Sequence, residues 1–118
     1  MAKPVLWDSG IVAGGAVITS PVLDIGDVNT ILMLADNTAG GAGRNTNLQM
    51  FLDDGVTAIA LPTANFTVNA GLRAVLALGP SVSAANLSGA WTIVLSRKIQ
   101  VSLAAGGAAN GRLTLFGI

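Results

Sequence analysis

One hundred and eighteen residues suffice for a single domain. Of these, 52% are apolar and 10% charged, with six Lys/Arg balancing six Asp, where an ordinary soluble domain carries roughly 25% charged residues. Glu, His, Cys and Tyr are missing, which removes a histidine base, a Cys/His zinc site, a thiol nucleophile and a disulfide framework; zero net charge is also a poor basis for gripping nucleic acid through its phosphates.

The opening segment, Met1-Ala2-Lys3-Pro4, has one positive side chain but no continuous apolar run before Asp8, so no signal peptide is read there. Residues 5–7 read as a first strand and 16–19 as a second, closed by Ser20-Pro21. A short piece at 22–25 precedes a Gly26-Asp27 turn. Residues 29–35 are nearly all apolar and predict a strand buried on both faces. Residues 47–53 alternate, with Leu48, Met50 and Leu52 opposite Gln49 and Phe51; Asp53-Asp54-Gly55 then signals a hairpin returning over 56–61 to Pro62. Short strands follow at 65–68 and 72–78, the second ended by Gly79-Pro80; the continuous apolar runs 31–34 and 74–78 want cover on both sides, either inside the sandwich or under a neighbour. Residues 81–89 read as a loop with one helical turn at 84–87. Strands are expected again at 91–95, at 99–103 after a turn at Ser96-Arg97-Lys98, and at 112–118 after the loop 104–111.

Helix evidence is thin. The 19 alanines sit beside Gly, Asn and Thr, and no capping box precedes an apolar run. About eight to ten short strands without crossover helices predict an all-β fold, an antiparallel two-sheet β-sandwich or jelly roll. The whole of 1–118 forms one domain, with 1–10 a candidate N-terminal docking arm. The Gly-rich runs 39–44 and 106–112 both end in Arg and lead into an alternating strand, which makes them two similar loops.

Motifs that could carry chemistry have simpler explanations. The run Gly40–Arg44 lacks the following helix and the Lys of a phosphate-cradling loop and reads as a flexible connection. Asp53/Asp54 and Asp24/Asp27 are explained by turn chemistry better than by glycoside hydrolysis or calcium binding. Serine and threonine lack a His partner, and Lys98 is expected to be solvated, so no enzyme activity, cofactor or small-molecule substrate is expected. The glycosylation patterns at Asn65 and Asn86 mean little without a secretory signal. Trp91 reads as core, whereas Trp7 suits either a docking arm or an edge strand. The uncharged stretch 74–96 contains Gly79-Pro80, Asn86, Gly89 and several serines, which do not suit a membrane-spanning helix, and five aromatics cannot build the girdles of a spanning barrel.

Surface arithmetic supplies the functional argument. A folded 11.8 kDa monomer should expose roughly 5,900 Å², which leaves about one charged side chain per 500 Å². Soluble monomers are usually far richer in charge. Cover by sister subunits or by a scaffold is the simplest resolution.

The stretches Asp36–Gly41, Asn47–Gly55, Phe66–Gly71 and Leu103–Phe116, in a compact, charge-poor all-β chain, resemble the small virion proteins of tailed bacteriophages, most closely the capsid decoration or cement proteins. The resemblance is one of texture and brings no diagnostic motif. It implies a non-enzymatic protein, made in the host cytoplasm, that binds the outside of an assembled head as a homotrimer and stabilises it, with itself and the major capsid protein as partners. Lys3, Pro4, Leu6 and Trp7 of the arm, and Arg44 and Arg112 at two loop exits, are the expected partner contacts. The alternative is a tail or baseplate component, or a module that binds host-surface glycans.

Overall fold

A computed structural model describes residues 4–59, 66–78, 95–107 and 109–117. Among them are ten strands: β1 (Val5–Asp8), β2 (Ile18–Thr19), β3 (Leu23–Asp24), β4 (Ile31–Asp36), β5 (Arg44–Phe51), β6 (Ala58–Ile59), β7 (Phe66–Val68), β8 (Arg73–Leu78), β9 (Lys98–Leu103) and β10 (Arg112–Gly117). Every pairing is antiparallel.

One sheet has the order β1-β10-β4-β8. In the other, β9 and β5 pair centrally; β2 and β3 both flank β9, and β6 and β7 both flank β5. If β2–β3 and β6–β7 are each counted as one interrupted strand, the first strand pairs with the last and the second with the second-to-last. The third then pairs with the sixth, and the fourth with the fifth. A single antiparallel ribbon wrapped around a core gives this order, which is a jelly roll. The break between β2 and β3 falls where Pro21 has no N–H to give; beside it Ser20 Oγ accepts the N–H of Val101 at 3.0 Å.

Strand alternation explains the core. β4 buries Ile31, Met33 and Ala35, β9 buries Ile99, Val101 and Leu103, and β10 buries Leu113 and Leu115, closing against Leu48 and Met50 of β5. A bulge between Val5 and Trp7 lets the consecutive Leu6 and Trp7 both pack on this core. Residues 5–8 are thus the edge strand of their own sheet, fastened to β10 and by the N–H of Gly117 to Pro4 O at 3.0 Å. The expected hairpin joins β5 to β6, with Gly55 at φ +69° and Asp54 Oδ1 accepting the N–H groups of Val56 and Thr57, both at 2.8 Å.

Two expectations need correction. The apolar segment at 29–35 is fully buried on one face only: Leu32 and Leu34 on the other face are half-covered, because no third layer of described residues lies over this sheet. In the 72–78 strand, likewise, Val75 is 57% exposed. Lys98, expected in a solvated turn, instead opens β9 and pairs with Asp24 at 3.2 Å. The strand and loop expected at 91–95 and 81–89 lie outside the described residues apart from Leu95, which packs on the core.

Candidate functional site

The outer face of the β1-β10-β4-β8 sheet is built by the register in three rows. Val5, Phe116, Leu32 and Ala77 form the first row, and Asp8, Thr114, Leu34 and Val75 the second. The third contains Arg112, Asp36 and Arg73. Val5 is 58% exposed, Val75 is exposed to nearly the same degree, and Phe116, Leu32 and Leu34 are half-covered. A shallow depression of about 450 Å³ runs between the apolar rows and the charged one.

The charges of this face are paired with one another, Asp8 reaching from the second row to the third. Arg112 Nε donates to Asp8 Oδ1 at 3.0 Å across the diagonal from β10 to β1, and its Nη2 bonds Asp8 Oδ2. Arg73 Nε donates to Asp36 Oδ2 at 3.1 Å between β8 and β4. The Arg112 hydrogen bonds, helped by the Gly10 N–H, hold the Asp8 carboxyl down at about 2. For Asp36, partial burial acts to raise the pKa, but the Thr38 hydroxyl and N–H together with Arg73 outweigh it and lower it. Asp8 likewise raises Arg112. Asp8, Asp36 and Arg112 therefore stay ionised at neutral pH.

Arg112 thus lies on the exposed face, as its expected contact role requires. Arg44 does not. It is 1% exposed, sits on the inward face of β5 beside Thr46, Leu48 and Met50, and cannot serve as a rim contact. Its Nε donates to Ala104 O at 2.8 Å and its Nη2 to Ala16 O at 2.9 Å. Burial lowers its pKa, although a guanidinium stays charged. The room comes from glycine: a Cβ at Gly106 would lie 2.4 Å from Arg44 Cδ, and one at Gly111 2.2 Å from its Nη1. The two similar Gly-rich loops meet here, with Ala39, Gly41 and Ala42 facing Gly106, Gly107 and Ala109. Arg44 is the pin beneath them.

Comparison with family models, with curated proteins and with solved structures finds no match.

The remaining expected contacts are spread out. Pro4 is exposed at the start of β1, Leu6 and Trp7 are half-buried against the core, and Lys3 lies outside the described residues. Sequence reasoning missed Asn37, which is fully buried and donates from Nδ2 to Ala42 O, Val68 O and Asn69 O at 2.9–3.2 Å. The acidic turn residues have local partners. Asp24 accepts the Gly26 N–H and pairs with Arg97 and Lys98, and hydrogen bonds from Arg97 first, then Gly26, hold its pKa well below the usual carboxylate range. Among the described residues no group of three or more Asp, Glu, His or Cys could hold a metal ion.

Proposed function

We propose that this chain is a non-enzymatic structural subunit that coats the outer surface of a tailed-bacteriophage capsid as an oligomer and stabilises it. The observation that carries this reading is the exposed apolar face of the β1-β10-β4-β8 sheet, set in a charge-poor surface. Ile11 at 73%, Val17 at 59% and Val56 at 79% exposure add apolar area elsewhere. A chain with six positive and six negative side chains in 118 residues, one of them the buried Arg44, gains solubility when neighbours cover such area. The jelly-roll order supports the same class, since coat proteins use it; lectin and cupin domains use it too, so the fold alone does not choose among them. Attachment would be multivalent, each subunit burying a modest patch and the oligomer engaging several capsid subunits together.

Density of the native particle, with the purified chain added back to expanded and to immature heads, tests this. Stoichiometric binding to expanded heads only, with a raised temperature of head disruption, is the expected result. Glycan binding by the purified chain, with no affinity for heads, would replace this reading with that of a host-surface module.

A further inference from the structure

We propose that Asn110 is a site of spontaneous deamidation, and that the backbone bridge between Val12 and Gly111 gates it. Of the asparagines in the chain, only Asn110 is followed by glycine. A glycine nitrogen has no side chain beside it to hinder attack on the preceding asparagine side chain. Asn110 is exposed, and its side-chain amide makes no hydrogen bond among the described residues. It lines an open hollow of about 210 Å³ together with Ile11, Thr38 and Arg112, so water reaches it. What the fold withholds is the nucleophile. Gly111 is buried, its N–H donates to Val12 O at 2.9 Å, and its carbonyl accepts the Val12 N–H at 2.8 Å.

The reaction consumes only water. Gly111 N gives up its proton and bonds to Asn110 Cγ; the C–N bond of the side-chain amide breaks, and ammonia leaves with a proton. The product is a cyclic imide, whose nitrogen carries no hydrogen. Such a nitrogen cannot donate to Val12 O, so ring closure and the bridge exclude each other. Deamidation therefore proceeds only from molecules in which the bridge has opened. Water then adds to either imide carbonyl. Opening on one side gives aspartate; on the other it gives isoaspartate, whose main chain runs through Cβ and is longer by that carbon. The extra carbon falls directly before Gly111, which packs so closely on Arg44 that a Cβ there would lie 2.2 Å from Nη1. The isoaspartate form cannot restore both the bridge and this contact in the same register, so the change is one-way.

The test follows the full chain by peptide mapping and mass spectrometry, in buffer and in concentrated guanidinium chloride at the same pH and temperature. The mass change from amide to acid separates Asn110 from Asp54-Gly55, whose Gly55 N–H is likewise held, by Leu52 O at 2.9 Å, and which would rearrange without changing mass. In the unfolded chain Asn110 should react ahead of every other asparagine. In the folded chain it should react more slowly by about tenfold or more, the fraction of time the bridge is open setting the ratio. Val12→Pro removes the Val12 N–H from the bridge and, in a variant whose melting shows it folded, should speed the reaction in buffer severalfold. Equal rates at Asn110 in the two solvents overturn the proposal. Faster modification of another asparagine in the unfolded chain does so too, as does a folded Val12→Pro that reacts no faster than the native chain. If Val12→Pro does not fold, the two-solvent comparison of the native chain decides alone. The reaction belongs to the free chain, so it stands or fails independently of head binding.

Discussion

Replacing Gly111 with alanine tests the buried arginine most directly. Gly111 does not have a positive φ, so alanine fits its backbone and should by itself stabilise by about 0.4–1 kcal/mol through the unfolded chain. The new Cβ, however, would sit 2.2 Å from Arg44 Nη1 and 3.0 Å from Cζ. The backbone cannot retreat easily, because Gly111 exchanges two hydrogen bonds with Val12, at 2.8 and 2.9 Å. The guanidinium must therefore move. Overpacking costs about 1–3 kcal/mol, and loss of one charged hydrogen bond, to Ala104 O or Ala16 O, a further ~1.5–3 kcal/mol. Gly111→Ala should thus destabilise by about 3–5 kcal/mol, or lower Tm by roughly 12–20 °C for a domain of this size. In an Arg44→Met background the obstructing group is gone, and the same alanine should be neutral or slightly stabilising. Urea midpoints at constant m and one protein concentration give the four corners of the cycle. An equal cost of Gly111→Ala in both backgrounds would refute the reasoning.

Other outcomes follow from the same geometry. Asn37→Asp replaces a donor to three carbonyls with a carboxylate, and should cost about 3 kcal/mol or more at neutral pH; chemical denaturation should show part of this recovered in acid, as the new carboxyl is protonated. Asp8 has a folded pKa of about 2 against an ordinary 3.8, so its contribution is complete above the ordinary value and is lost as the pH falls toward 2. Asp24, Asp36 and Asp54 shift in the same direction, so melting temperatures should hold from neutrality to about pH 5 and fall below about pH 4, and Asp8→Asn should flatten part of that fall. Asp54→Ala removes the acceptor for the Val56 and Thr57 N–H groups and should lower the melting temperature slightly, with the loss confined to pH values above the ordinary carboxylate range.

Much of the architecture is legible because strands announce themselves locally. The alternation of β9, the Asp-Gly hairpin after β5 and the absence of capped helical runs all follow from short-range rules that the structure obeys. Strand order is another matter. That residues 5–8 pair with 112–117 depends on how the ribbon wraps, and nothing within either segment encodes its partner. The inward or outward placement of a whole face depends on what is stacked above it, so an apolar β4 looks doubly buried in sequence and is covered on one side only.

The candidate face and the buried pin were hidden for related reasons. Arg44 ends a Gly-rich run, which suggests an exposed loop exit; yet it shares the parity of Thr46, Leu48 and Met50, and extending the alternation of β5 back by one more pair would have placed it inward. A buried guanidinium becomes tolerable only through carbonyls at Ala16 and Ala104 and space at Gly106 and Gly111, all distant in the chain. The charge row is equally non-local: Asp8 and Arg112 lie at opposite ends of the sequence, where each looks like an isolated surface charge. Wrapping puts them beside Asp36 and Arg73 with alternating sign. Each acid thereby gains a cation that its own segment does not contain, Asp8 from Arg112 and Asp36 from Arg73, so the electrostatics of this face are a product of strand order and not of any local motif.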